Sequence, residues 1–196
     1  MEAEVRRFLE RAGLLLKHDA RWPSVTTIVA GEPVRGPWWG HAAGHTIFRV
    51  LEAMHDEVAW PKLLGGKVTL VHRRLWPSLA AVGQGGEAWQ RRGLKDDAAD
   101  VAELVDAEGE IRSDDIELQP GCRTISAIVT DLEKRLLVIA EQEHTESGKH
   151  VRVLRSWKAF ARPLGRLPTV AVACGELERA VEAFGGADAL RLLPWR

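Results

Sequence analysis

Near the N-terminus, apolar residues recur at Val5, Phe8, Leu9, Ala12 and Leu15 or Leu16. That is the spacing of one buried helix face, and it predicts a helix over 2–17. Trp22-Pro23-Ser24 breaks the pattern. Ser24 then stands where it can cap a short helix from Val25 to Ala30, closed by Gly31. Residues 31–40, GEPVRGPWWG, are rich in Gly and Pro and predict a loop that carries Trp38 and Trp39. Ile47, Phe48, Leu51 and Met54 return to helical spacing and predict a helix over about 41–54 that buries all four. Between 58 and 74 the pattern turns strand-like around Gly65-Gly66-Lys67, as in a hairpin, with Pro61 on an edge strand or at a bulge. Pro77 suits the start of a short helix, PSLAAVG, which Gly83, Gly85 and Gly86 end.

In the second half, Asp97 predicts a cap for a helix with Val101, Leu104 and Val105 facing inward, ending near Gly109. Ile111 marks a short strand, and Ser113 a cap for a brief second helix. The most informative stretch is 121–157. Ile125, Ile128, Val129 and Leu132 form the buried stripe of a helix, leaving Arg123, Thr124, Ala127, Thr130, Asp131 and Lys134 outside. Residues 136–139 are strand-like, 145–148 (TESG) supply turn chemistry, and Val151 and Val153 alternate with Arg152 on the return. A C-terminal helix follows over Gly175–Phe184.

Helix, strand, short helix, longer helix, hairpin is the order of a winged helix-turn-helix, whose habitual partner is DNA. The expected fold class is therefore α+β. It has an N-terminal helix and hairpin region over 1–92, a winged-helix region over 93–166, and a C-terminal helix and tail over 167–196 that packs on the rest. Helix-then-hairpin at 41–74 also suggests a diverged second winged helix.

Composition narrows this picture. With 45% hydrophobic and 28% charged residues the chain reads as an ordinary globular protein of one or two domains. The apolar runs are too short to span a bilayer, and the N-terminus lacks the apolar core of a secretory signal, so a cytoplasmic protein with no membrane partner is expected. Cys122 and Cys174 lie far apart and outside any C-x-x-C pair, which leaves zinc and redox motifs without support. The net charge of −1 hides a pattern. Residues 1–92 hold 13 Lys/Arg against 9 Asp/Glu, residues 93–120 hold 2 against 10, and residues 121–168 hold 9 against 5. The predicted helix and hairpin are thus basic behind a strongly acidic segment.

The residues expected to meet duplex DNA are Arg123, Thr124, Lys134 and Arg135 on the helix, with Lys149, His150 and Arg152 on the wing. The wing sequence His144-Thr145-Glu146-Ser147-Gly148-Lys149-His150 also holds an acid and two imidazoles, the residue types of proton transfer, although a solvated β-turn explains it as well. Trp38 and Trp39 can stack bases or line a pocket with His144 and Glu146; equally, they can plug the core. His41 and His45 have the spacing of a two-histidine metal face, but HAAGH lacks the glutamate of H-E-x-x-H, and no metal or cofactor is assigned. Phosphate-binding glycine loops and a G-x-S-x-G nucleophile motif are absent. Nothing in the sequence sets an oligomeric state.

Across Val5–Trp157 the layout resembles the small AlkZ-related bacterial proteins, relatives of winged-helix DNA glycosylases. The resemblance rests on the opening helix, PSVTTIVAG, the Trp-bearing loop, KVTLVHRRLWPSLAAVG, the helix at 97–107, and ISAIVTDLEKRLLV before the wing. It implies tandem winged helices, DNA as partner and a setting in DNA repair. The glycosylases carry a catalytic Gln-x-Gln or Gln-x-Asp element. Gln84, Gln90, Gln119 and Gln142 stand in other contexts here, so no catalytic residue is carried over. The expected function is DNA binding. One alternative is lesion-specific base excision, with Trp38 or Trp39 holding the base and Glu146 assisting as acid. The other is a protein-interaction module without DNA.

Overall fold

The computed structural model describes residues 1–144 and 150–196, with the backbone alone for Glu143, His144 and His150. The fold is α+β and holds two small antiparallel three-stranded sheets. The chain divides into two compact units, Met1–Trp76 with Cys174–Arg196, and Pro77–Ala173.

The first unit opens with α1 (Glu2–Ala12), which buries Val5, Leu9 and Ala12. It is shorter than the predicted 2–17. Gly13 takes φ 85° as a left-handed cap, and its N–H donates to the Leu9 carbonyl at 2.7 Å. Leu14–Leu16 then forms β1, buried at all three positions. A side chain at Gly13 would also collide with Leu75, its Cβ lying 2.7 Å from Cδ1. Ser24 caps α2 (Val25–Ala30) as expected, its hydroxyl accepting from the Thr27 N–H.

Helix α3 (Gly44–Ala53) begins three residues later than predicted and leads to β2 (Val58–Ala59) and β3 (Thr69–His72). The predicted hairpin forms, with β2 against β3, but β1 joins it to give the order β1-β3-β2. Pro61 lies beyond the end of β2, where its carbonyl accepts from the Thr69 N–H at 2.8 Å. The core joins Val5, Leu9, Leu15, Val25, Val29, Trp38, Ile47, Leu51, Met54 and Leu70. Phe48 does not share it: the helix register buries Val50 instead and leaves Phe48 43% exposed.

The second unit comprises α4 (Trp76–Gln84) from Pro77 onward, α5 (Ala88–Arg91), α6 (Asp96–Glu108), β4 (Glu110–Arg112), α7 (Ile125–Lys134), β5 (Ile139–His144), β6 (His150–Arg155) and α8 (Trp157–Ala161). Gly83 lies inside α4 instead of ending it, and the absence of a side chain serves packing: a Cβ there would fall 2.3 Å from the Trp157 ring. The sheet order is β4-β6-β5, and the core joins Ala98, Val101, Val105, Ile128, Val129, Leu132, Val138 and Leu154.

The helix expected behind Ser113 does not form. Ser113 extends the β4 ladder instead: its N–H donates to the Arg152 carbonyl at 2.8 Å, and its hydroxyl accepts from the Arg152 N–H at 3.1 Å. A serine so engaged cannot cap a helix. Helix α9 (Val170–Gly185) starts earlier than Gly175, and the Thr169 hydroxyl accepts from the Val172 N–H at its start.

Both units thus repeat one order of elements. A helix leads into a strand, a second helix precedes a hairpin, and each sheet runs first strand, third strand, second strand. The first unit has the extra helix α2 between them; in the second, residues 113–124 are irregular.

Candidate nucleic-acid interface

Helix α7 forms because Thr124 caps it, its hydroxyl facing the Ala127 N–H, and because Ile128, Val129 and Leu132 are fully buried. Burial of each such side chain is worth about 1.5–3 kcal/mol. The helix ends in a turn with Leu136 at φ 50°. The Leu137 N–H donates to the Leu132 carbonyl at 2.9 Å, and the Leu136 N–H to that of Glu133 at 3.1 Å. This is a Schellman closure with leucine where glycine is usual. Leu136 is fully buried, and that burial offsets the left-handed backbone.

The outer face of α7 is small and polar. Thr124, Ser126, Ala127 and Lys134 are exposed, and Thr130 is half-buried. The arginines expected to serve DNA are held by neighbouring groups. Arg123 grips Asp97 with Nη2–Oδ1 at 2.7 Å and Nε–Oδ2 at 2.9 Å, and also reaches Asp131 at 3.2 Å. The Arg123 guanidinium holds the Asp97 carboxyl down at about 2, in spite of opposing desolvation.

Asp131 is shared with Arg135 at 2.7 Å, and Arg135 also donates to the carbonyls of Gln90 (3.1 Å) and Arg92 (2.8 Å). Burial pushes the Asp131 carboxyl up, but the bonds from Arg135 and Arg123 outweigh it and hold the group below its ordinary value. From β6, Arg152 crosses to α7, donating to the Ser126 hydroxyl at 2.6 Å, Thr130 at 3.3 Å and the buried Glu133 at 3.2 Å. These three arginines therefore fix where α7 lies. Asp97, expected to cap α6, lies inside its first turn and is taken by Arg123 instead; the sequence shows the charges of Asp97, Asp131 and Glu133 but not which cations they meet.

Gln90 completes the seat. It is fully buried, its amide donates to the carbonyls of Leu136 (3.0 Å) and Gly83 (3.3 Å), and its carbonyl accepts from the Glu87 N–H at 2.8 Å. On the wing, His144 and His150 stand opposite each other as the outermost pair of the β5–β6 ladder. Glu146 and Lys149 lie outside the described residues.

Trp38 and Trp39 belong to the first unit and take different roles. Trp38 is buried in the core as the plug that one reading anticipates. Trp39 stacks on it, ring centroids 3.6 Å apart, and is 65% exposed. His41 precedes α3, accepting from the Ala43 N–H at 3.1 Å and facing Glu32 at 3.4 Å, so it shares no helix face with His45. Among the described residues, no group of three or more His, Cys, Asp or Glu is placed to hold a metal ion. No described helix is long and apolar enough to cross a membrane.

The first unit also has an open cleft of about 600 Å³. Leu9, Met54 and Val58 line it together with the Arg6–Glu57 ion pair, His72 and Trp76. Burial, with Arg74 and Arg73 nearby, lowers the His72 pKa, while its Nδ1 accepts from the Arg74 N–H.

No protein family, curated protein or solved structure matches the chain.

Proposed function

We propose that the protein binds duplex DNA through winged-helix-type units, with α7 as the helix offered to the groove and the β5–β6 hairpin as its wing. The observation that carries this reading is the repeated order of elements: in each unit a helix is followed by a hairpin, across a 3-10 turn at His55–Glu57 in the first, and the sheets share one strand order. In winged helices the element before the hairpin is the one that enters the major groove. Thr124, Ser126 and Ala127 give α7 an exposed face of small side chains that lets a helix approach closely, and Lys134 adds a cation at its last turn. Arg123, Arg135 and Arg152 serve the contact by fixing the helix, since each is already paired. A setting in DNA repair follows from the resemblance to AlkZ-related proteins, and no catalytic residue is assigned.

The same pairing favours a second reading, in which α7 docks on a protein, because neutralised arginines release fewer counterions from DNA. Binding of a fluorescent duplex at low salt separates the two. DNA binding predicts that Ala127→Glu, which puts an anion on the exposed face, weakens affinity at least about tenfold. A wild-type chain that ignores the duplex at low salt, or an Ala127→Glu variant that binds as well as wild type, overturns it.

A further inference from the structure

We propose that Trp39 and Phe48 form a stacking platform in the first unit for an unpaired base of single-stranded DNA, with Arg35 and Arg49 serving its phosphates. The proposal rests on the nucleic-acid reading above but makes no use of α7.

Trp39 and Phe48 are 65% and 43% exposed, and their ring centroids are 6.4 Å apart with planes tilted by 44°. Leaving two neighbouring large aromatic rings partly in water forgoes burial that the rest of the unit exploits. The platform is also built to stay in place. Trp38 is locked in the core and backs Trp39 at 3.6 Å, with planes 28° apart. The His41 N–H closes the turn on the Trp38 carbonyl at 3.1 Å. Gly44 starts α3 so close to this turn that a Cβ would lie 3.0 Å from the Trp39 carbonyl and 3.1 Å from that of Trp38. Trp39 is thus backed by a rigid partner and remains 65% exposed.

Charge selects the occupant. Between Glu32, which faces His41, and Glu52, the stretch 33–51 carries Arg35, His45 and Arg49 and no Asp or Glu. Arg35, His45 and Arg49 are exposed, and Arg49 follows Phe48 on the outside of α3. Aromatic faces beside guanidinium groups are the means by which proteins hold single strands, because every base offers a π-face and every linkage an anion. A base within a duplex has both faces covered by its neighbours, so the ligand is an unpaired base.

The test uses the full chain and a labelled single-stranded oligothymidylate, with anisotropy read at low salt. Trp39→Ala and Phe48→Ala should each weaken binding by about tenfold, the size of one lost stacking contact. Trp39→Phe should restore most of the affinity lost in Trp39→Ala. Arg35→Ala and Arg49→Ala should each reduce the salt slope by about 0.7. The loss of Trp39→Ala on the single strand should exceed any loss on a duplex. Circular dichroism checks that each variant folds, and Phe48→Ala stands in should Trp39→Ala fail to do so. Wild-type single-strand affinity that survives both aromatic substitutions overturns the platform, as does a wild-type chain that binds duplex but no single strand. Both outcomes leave the duplex reading intact. An effect of Trp39→Ala on self-association alone, with single-strand affinity unmoved, also overturns it.

Discussion

Arg123 and Asp97 meet through two parallel hydrogen bonds, and the Arg123 backbone N–H donates to the same carboxylate at 3.1 Å. The residue just before the α7 cap is thereby fastened to the first turn of α6. An acidic segment and a basic one, separate features in the sequence, become a single joint. The stabilisation should show in acid. The Asp97 carboxyl is held at about 2, against an ordinary value of about 3.9. A lowered pKa contributes stability that is fully present above the ordinary value and is lost as pH falls toward 2. Denaturant titrations at a series of pH values should show wild type losing its advantage over Asp97→Asn across that interval. An advantage that is independent of pH would contradict the joint.

Leu136 offers a test of backbone against burial. It sits at φ 50° with its side chain fully buried. Leu136→Ala should destabilise by about 2–5 kcal/mol through the cavity it leaves. Leu136→Gly loses the same side chain but relieves the left-handed backbone, a relief of about 1–2 kcal/mol. The glycine variant should therefore be at least as stable as the alanine variant. Equilibrium denaturation decides, and a clearly weaker glycine variant would refute the offset.

Gly83 should tolerate no side chain. A Cβ there would lie 2.3–2.5 Å from three atoms of the buried Trp157 ring. Gly83→Ala should lower stability by about 1–3 kcal/mol, as overpacking does, and alter the near-ultraviolet signal of the indole. The same substitution beside Trp157→Leu should be less harmful. Equal harm in both backgrounds would mean that the ring is not the obstacle.

Gln90 holds three backbone groups at once, and an apolar replacement leaves them unpaired. Gln90→Leu should destabilise by about 2–4 kcal/mol, since a buried unsatisfied group costs about 1–3 kcal/mol. Thermal unfolding monitored by circular dichroism measures this. A variant as stable as wild type would show that the Leu136 turn does not need it.

Much of this fold was legible in the sequence, for identifiable reasons. The α2 cap, the β2–β3 hairpin and the apolar stripe of α7 rest on local signals, and all formed. The β5–β6 pair formed too, but β5 runs over Ile139–His144 and not from residue 136, because Leu136 is taken by the turn that closes α7. What failed was decided at a distance. Gly13 ends α1 early, and Leu14–Leu16 pairs with β3, more than fifty residues further on. Ser113 is taken by Arg152 from β6 before it can cap anything. Phe48 fits the helical period as well as Val50 does, and only the packing of α3 decides which is buried. The basic residues of the candidate site were visible as charges, whereas their carboxylate partners on α6 and α7 became visible only in three dimensions.

The most direct test of DNA binding is the affinity of the intact chain for a short duplex over a series of salt concentrations. Binding at low salt is predicted, with log K falling against log salt at about −0.9 for each phosphate neutralised. Lys134→Ala should make that slope shallower by about one phosphate. No binding at low salt, or binding indifferent to salt, would contradict a DNA-facing α7.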